Sequence, residues 1–450
     1  MGSLVFGTCI AWSGPSSPIL QKPRGENGFS MTSEEISWVG SLLPLGAFIG
    51  GQFGGILMIR LGRKDIMLAA SAMYALSFFL LVVASDPWFI YFGRFLIDIC
   101  TGIASLVCPV YVGETSMPQN RGFLGSCVQG MLTVGVLLGM SVGSFQSWRW
   151  LSVVCILCSF TWSSLLLLVP ESPIFLLCMD REVEARDALL WLRDGANIEE
   201  ELLEIKSSLK ESSRQSSSFK DLFKAPNLAP FTISMFLMLG QQLSGINAVV
   251  FYVVDIFEAS GTKLDSNLES CIVGVVQVVS TFFGAFIMDK TGRRMLLCSS
   301  SSIMAASAAG LGAFFFISKN ENNSELAEKL GALPVVSMSL FIFAFSIGFG
   351  PIPWLMMSEL FSPEIRGQAS SLAVSFNWIL AFLVTKFFTN IVDLVTESVA
   401  FWIFMGISII VFIFCLFFVP ETKVKKLDEI QQMFQSEELY FLSIWRRRFL

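Results

Sequence analysis

Residues 240 to 252 read GQQLSGINAVVFY, placing four uncharged hydrogen-bonding side chains, Gln241, Gln242, Ser244 and Asn247, inside an apolar run from Phe231 to Phe257. Amides and hydroxyls are costly in an apolar medium unless something uses them. Gln241 and Gln242 are neighbours, and Ser244 and Asn247 follow at spacings of three, so one helical face presents the set together. Gly245 permits that helix to bend or unwind beside a ligand. Further amides, Gln129, Gln277 and Asn377, stand at mid-depth of other apolar runs, accompanied by the indoles of Trp354 and Trp378. An amide both donates and accepts, as the hydroxyls of a polyol do, and an aromatic face suits the C–H side of a sugar ring. The chemistry implied is reversible recognition of a neutral, many-hydroxyl solute. Interhelical amide bonds worth ~0.6 to 2 kcal/mol each account for one or two such residues, and poorly for the set. No nucleophile–base pair or metal-ligand cluster appears, so the sequence is not read as an enzyme, and neither a cofactor nor a metal is expected.

The elements that carry these groups are membrane spans. Of 450 residues, 54% are hydrophobic and 15% charged, and the mean hydropathy is +0.67, values of an all-α integral membrane protein. Runs long enough to cross ~30 Å of hydrocarbon lie near 1–20, 36–59, 66–85, 88–112, 123–145, 148–169, 229–257, 268–288, 295–317, 333–357, 368–391 and 398–419, which makes twelve helices. Basic residues gather in the loops of one side, which places both termini in the cytoplasm. The net charge of −6 argues against nucleic acid as a partner. The ten cysteines are scattered singly; Cys155 and Cys158 have C-x-x-C spacing but sit mid-helix, where small buried thiols are expected. There is no histidine, which removes the usual proton carrier near neutral pH. No cleavable signal peptide is evident, since the first apolar run lacks a basic flank.

The first span is the weakest. Pro and Gly from position 14 onward leave little uninterrupted helix, so either the helix is short and polar-ended or an upstream piece is missing. The second span ends in a basic turn, Arg60-Leu61-Gly62-Arg63-Lys64. The fourth opens with Gly93-Arg94 and carries Asp98 one turn on, an intramembrane ion-pair spacing that reads either as functional or as self-neutralising. PVYVGETSMPQNRG then holds Glu114 and Arg121 seven residues apart. Gln129 stands among Gly125, Gly130, Gly135 and Gly139, glycines read as packing. Pro170-Glu171-Ser172-Pro173 opens the one long hydrophilic segment, a linker with short amphipathic helices. The punctuation then repeats in order: Lys290-Thr291-Gly292-Arg293-Arg294, Glu359 with Arg366 again seven apart, and Pro420-Glu421-Thr422-Lys423. Two parallel six-helix repeats are implied, bounded as 1–169, a linker 170–228, 229–419, and a tail 420–450. Gly348-Phe349-Gly350-Pro351-Ile352-Pro353-Trp354 interrupts the tenth span with helix breakers, tolerated in a membrane where the backbone lines a cavity or is re-satisfied. Asn322-Asn323-Ser324 is an N-glycosylation sequon on the outer side, a chance match being equally admissible. Arg446, Arg447 and Arg448 read as a solvated or lipid-headgroup contact.

These motifs together resemble the sugar porter family of the major facilitator superfamily: RLGRK at 60, GRF at 93, PVYVGETSMPQNRG at 109, PESP at 170, QQLSGINAVVFY at 241, DKTGRR at 289, GFGPIPWLMMSELFSPEIRG at 348 and PETK at 420, in the family's order over nearly the whole chain. GFGPIPWLMMSE and NWILAFLVTKFF resemble insect facilitated trehalose transporters within it. The resemblance implies the major facilitator fold. It puts Gln129, Gln241, Gln242, Asn247, Trp354 and Asn377 on the family's sugar-contacting positions, with Gln277 where Asn is frequent. It also puts Arg63, Glu114, Arg121, Glu171, Arg293, Glu359, Arg366 and Glu421 on an inner salt-bridge network that closes the cytoplasmic side. Three departures stand out. Cys9 lies near the position of an Asp found in proton-coupled members, Asp98 stands where a small residue is common, and Ile174 replaces an Arg.

The expectation is a twelve-helix plasma-membrane uniporter for a neutral sugar, trehalose, working by alternating access, with the sugar and the bilayer as partners and no obligate protein partner evident. The alternatives are a hexose facilitator, a proton–sugar symporter using Asp98, and a non-transporting sugar receptor, for which the tail lacks a signalling module.

Overall fold

The computed structural model describes residues 1–22, 29–117, 121–145, 147–193, 198–212, 222–251, 253–260, 266–319, 326, 329–423 and 434. Among the described residues it is helical and without strands. Among the described residues, eleven helices are long and apolar enough to cross a membrane, one fewer than the twelve expected, the first span being the one that does not qualify. The chain divides into two compact units, Met1–Ser216 and Ser217–Leu450.

The first unit contains α1 (Gly2–Gln21), α2 (Ser33–Arg60), α3 (Arg63–Val82), α4 (Pro87–Thr115), α5 (Arg121–Phe145) and α6 (Trp148–Leu167), followed by the short α7 (Pro173–Cys178), α8 (Glu182–Leu192) and α9 (Glu199–Ser212). The first span, expected to be cut short by its prolines, is a helix of twenty residues that runs through Pro15 and Pro18, although it is not among the eleven. A membrane helix tolerates proline when side chains and close neighbours compensate for the lost backbone bond. Here the Pro15 ring lies where a Cβ on Gly143 of α5 would fall, so the close neighbour accommodates it; Ser17 Oγ donates to Ser13 O at 2.7 Å in the same turn. The α1–α5 seam is backbone on backbone, since a Cβ on Gly7 would lie 2.0 Å from Leu132 O and one on Gly135 2.1 Å from Leu4 O. The glycines read from sequence as packing are therefore, at Gly135 and Gly139, seats for α1. α2 and α4 meet in the same way at Gly50 and Gly102.

The core of this unit is aromatic. Trp12 and Trp148 meet edge to face at 6.4 Å and 83°, Trp12 Nε1 donates to Ser152 Oγ at 3.1 Å, and Tyr74, Phe78 and Trp162 complete the cluster. α2 starts at a capping box, Thr32 N donating to Glu35 Oε2 at 2.7 Å and Glu35 N to Thr32 Oγ1 at 3.3 Å. The short helices α7 to α9 bury a small core of their own, with Leu176, Leu189, Ile198 and Leu202 at its centre.

The second unit contains α10 (Ala225–Leu243), α11 (Ile246–Phe251), α12 (Val253–Ser260), α13 (Ser266–Thr291), α14 (Arg293–Ser318), α15 (Leu333–Ile347), α16 (Ile352–Leu360), α17 (Pro363–Val395) and α18 (Glu397–Phe417). Two of its spans are broken. The α10–α11 span turns at Gly245, whose φ of +91° suits glycine, and a Cβ there would lie 2.6 Å from the Phe404 ring. The span of α15 and α16 breaks at Gly348 to Pro351, because Pro351 and Pro353 remove two backbone donors.

Candidate functional site

Both breaks converge on one set of amides in the second unit. Asn247 Nδ2 donates to Gln242 Oε1 at 2.6 Å. Gln242 Nε2 donates to Asn377 Oδ1 at 2.9 Å. Asn377 Nδ2 donates to Gln241 Oε1 at 2.8 Å, and Gln241 Nε2 ends the chain on Phe349 O at 2.7 Å and Gly350 O at 3.0 Å. Four carboxamides from α10, α11 and α17 thus form a directional relay. Gln241, Gln242 and Asn377 are buried, whereas Asn247, at the head of the chain, is half-buried. The terminus of the relay follows from the sequence of the break: Phe349 O would normally accept from residue 353, which is proline and has no N–H. Ser244, grouped with the amides from sequence, turns its hydroxyl back onto Gln241 O at 2.8 Å. Every member of the relay is neutral and both donates and accepts, so the set can exchange internal bonds for those of a polyol without moving charge.

The other amides and indoles stand apart from this relay. Gln277 is half-buried on α13 and Trp378 half-buried on α17, while Trp354 on α16 is 38% exposed. Gln129 belongs to the first unit, exposed on α5. Asn322 and Arg121's side chain lie outside the described residues, as do Arg446, Arg447 and Arg448.

The charged motifs build one arrangement twice, once inside each unit. In the first, Arg63 Nη2 pairs with Glu114 Oε1 at 2.9 Å and Ser172 Oγ donates to Glu114 Oε2. Glu171 sits over the N-terminus of α3, accepting from Lys64 N at 3.0 Å and from Ser172 N at 2.7 Å, the helix end that favours an anion. Burial pushes the Glu171 carboxyl above its ordinary range, and those backbone donors pull it back. Lys64 Nζ reaches the end of α6 and donates to Val169 O at 2.8 Å. In the second unit Arg293 pairs with Glu359 at 3.2 Å, Thr422 Oγ1 donates to Glu359 Oε2 at 2.5 Å, and Glu421 accepts from Arg293 N at 2.9 Å and Arg294 N at 3.1 Å. Arg294 donates to Leu416 O. Gly62 and Gly292 make room: a Cβ on either would collide with the Glu171 or Glu421 carboxylate, and Gly292 has φ +97°. These bonds run within a repeat and tie its helix ends together. Arg366 donates to Phe361 O at 3.2 Å.

Arg94 and Asp98 are both fully buried and 3.4 Å apart on α4. Arg94 Nη1 donates to Cys9 O at 3.1 Å, and its guanidinium lies 5.2 Å over the Trp12 ring. Neither Asp98 oxygen accepts a hydrogen bond among the described residues. The pair therefore joins α4 to α1 at the residue, Cys9, that departs from the proton-coupled pattern.

Sequence reading missed Ser172 and Thr422, the hydroxyls that hold Glu114 and Glu359, although each follows the motif glutamate directly. It also missed Ser300 on α14, whose hydroxyl donates to Ala344 O at 2.7 Å and accepts from Phe349 N at 3.3 Å.

The comparisons with known proteins agree with this architecture. A family model described as "Sugar (and other) transporter" matches residues 1–434. The facilitated trehalose transporter Tret1 of Polypedilum vanderplanki is 40% identical over 435 residues, 96% of this chain and 86% of that protein. The Bombyx mori protein of the same name is 41% identical over 408 residues, 90% of this chain and 80% of that one. Among solved structures, the inward-open xylose transporter XylE from E. coli superimposes with a TM-score of 0.77 at 24% identity, covering 96% of this chain and 97% of that one, which shows the fold. The repeated helix-end motifs, the paired six-helix pattern and these matches lead to one assignment: the chain belongs to the sugar (and other) transporter family and has the major facilitator fold.

Proposed function

We propose that this protein carries trehalose across the plasma membrane by facilitated diffusion. The observation that carries the reading is the neutral amide relay of Gln241, Gln242, Asn247 and Asn377, supported by relatives of about the same length that are named facilitated trehalose transporters. Sugar hydroxyls enter at Asn247, the relay's half-buried head, and replace amide–amide bonds with amide–hydroxyl bonds of similar strength. A carrier needs such a balance, because a site that holds its solute much more tightly than its own partners releases it slowly. Trp354 and Trp378 supply aromatic faces for the C–H surface of the sugar, and Gln277 and Gln129 are further candidate contacts.

The charge clusters act in this reading as staples. They make the motif-bearing end of each repeat rigid, so each moves as one body in alternating access. That end is cytoplasmic, as are both termini, by the basic turns at Arg63 and Arg293, and Asn322 carries glycan on the outer side. The Arg94–Asp98 pair favours uniport, since a carboxylate tied to an arginine in its own helix is neutralised locally.

The test is uptake of labelled trehalose and glucose into proteoliposomes, with Asn377→Leu as the control. Saturable trehalose entry, at least about tenfold reduced in the variant as expected when two buried amides lose partners, supports the proposal. Saturable glucose entry with no trehalose entry replaces it with the hexose facilitator, and high-affinity binding without entry replaces it with a receptor.

A further inference from the structure

The break from Gly348 to Pro353 leaves several carbonyls without their helical donors, and for two of them, Ala344 O and Phe349 O, side chains from other helices stand in. Phe349 O loses its donor because residue 353 is proline, and Gln241 Nε2 takes that place at 2.7 Å. Ala344 O would accept from Gly348 N, but that N–H turns to Phe345 O at 3.3 Å, and Ser300 Oγ donates to Ala344 O instead. The same hydroxyl accepts from Phe349 N. Ser300 is fully buried, and a Cβ on Gly348 would lie 2.4 Å from its Cβ, so nothing but glycine fits against it. The peptide of Phe349 is thus gripped at its N–H by Ser300 and at its carbonyl by Gln241, and Gln241 is also the last member of the amide relay.

We propose that Gln241 and Ser300 are positioning residues that clamp the α15–α16 break, and that sugar bound at the head of the relay loosens the clamp by drawing the Gln241 carboxamide off Phe349 O. The second half rests on the relay being the sugar site; the clamp itself does not. Each carboxamide oxygen from Gln242 through Asn377 to Gln241 accepts from the amide before it, with Asn377 Nδ2 also reaching Met238 O at 3.4 Å, so a hydroxyl that takes Asn247 or Gln242 re-registers the partners down the line. The shift ends at Gln241 Nε2, which is shared between Phe349 O at 2.7 Å and Gly350 O at 3.0 Å. Occupancy is thereby linked to the bend of the span that carries Trp354, without a change of charge anywhere.

The test is amide hydrogen exchange of the full-length protein in lipid nanodiscs, read on peptides covering residues 345–355, in wild type, Gln241→Leu, Gln241→Leu with Pro353→Ala, and Ser300→Ala. Without sugar, Gln241→Leu raises exchange in this segment about fivefold, the factor given by one net hydrogen bond, and leaves α18 unchanged. Pro353→Ala supplies the missing N–H to Phe349 O and returns exchange to near wild type, a rescue that a general packing defect would not show. Adding trehalose raises exchange of the segment in wild type and has no effect on it in the doubly substituted protein. Ser300→Ala alters the maximal counterflow rate several-fold while KM stays within about twofold, because the hydroxyl is bonded to the hinge and to no amide of the relay. Unchanged exchange in sugar-free Gln241→Leu, or a defect that Pro353→Ala fails to repair, overturns the clamp. Demonstrated trehalose binding with unchanged or slower exchange at 345–355 overturns the linkage. Absence of any trehalose binding overturns the functional reading, and the sugar-free arms then judge the clamp alone.

Discussion

Replacing Asp98 with Asn removes the only carboxylate paired with Arg94 among the described residues. Both side chains are fully buried, so the guanidinium is left with Cys9 O at 3.1 Å and the Trp12 ring at 5.2 Å. Breaking one side of a fully buried pair costs about 3–5 kcal/mol, because a charge stays in a low-dielectric interior. For a unit of this size 1 kcal/mol corresponds to about 2–4 °C of Tm, so Asp98→Asn lowers the melting temperature by roughly 10 °C. Removing both charges, as Arg94→Met with Asp98→Leu, eliminates the stranded ion and is near neutral or stabilising. The assay is thermal unfolding of the purified protein followed with a thiol-reactive dye, for which Cys9, Cys100 and Cys155 are suitable reporters, being free and buried. The expected pattern is a large loss in the single variant and recovery in the double. A Tm within about 2 °C of wild type for Asp98→Asn would show that the pair is not ionised as a unit, and would return attention to Asp98 as a proton site.

Four further outcomes follow from the geometry. Gly292→Ala, at φ +97° and with its new methyl 2.7 Å from Glu421 Oε2, costs about 1–2 kcal/mol of backbone strain plus the displaced carboxylate, seen as a lower Tm. Glu421→Gln keeps the shape but weakens the anion's bonds to Arg293 N and Arg294 N, and lowers Tm by less than Gly292→Ala, since charge at a helix N-terminus is worth about 0.3–1 kcal/mol. Gly135→Val drives a side chain into Leu4 O and separates α1 from α5, so the yield of monodisperse protein falls severely by size-exclusion chromatography. Trp12→Phe removes the bond to Ser152 Oγ and leaves that position packed, at a cost of about 1 kcal/mol in thermal unfolding.

Much of the fold was legible because a bilayer enforces it: apolar run length alone located helices such as Arg293–Ser318 and Glu397–Phe417 to within a few residues. The exception is α1, where Pro15 and Pro18 signalled a stop. In water that inference is sound, but here Gly143 of the neighbouring helix accepts the Pro15 ring. The amides Gln241, Gln242, Asn247 and Asn377 were visible as polar groups at the wrong depth. Their order of bonding was not, since Gln241 and Phe349 are 108 residues apart and nothing local joins them. One signal was present and unread: a proline at position 353 orphans the carbonyl four residues earlier, so some donor near Phe349 had to exist. The spacing of seven between Glu114 and Arg121, and between Glu359 and Arg366, marks the repeat without naming a partner: Glu114 is held by Arg63 and Glu359 by Arg293. Sequence shows which charges are present near a helix end, and the tertiary crossing of α3 with α4 or α14 with α16 decides which of them meet.

The central claim is facilitated transport of a neutral sugar, and its most direct test is counterflow of labelled trehalose in proteoliposomes with and without an imposed pH gradient. Exchange that is saturable, abolished by Asn377→Leu and indifferent to the gradient is the predicted result. Concentrative uptake driven by the gradient, and lost in Asp98→Asn, would contradict uniport and make the buried Arg94–Asp98 pair the coupling site.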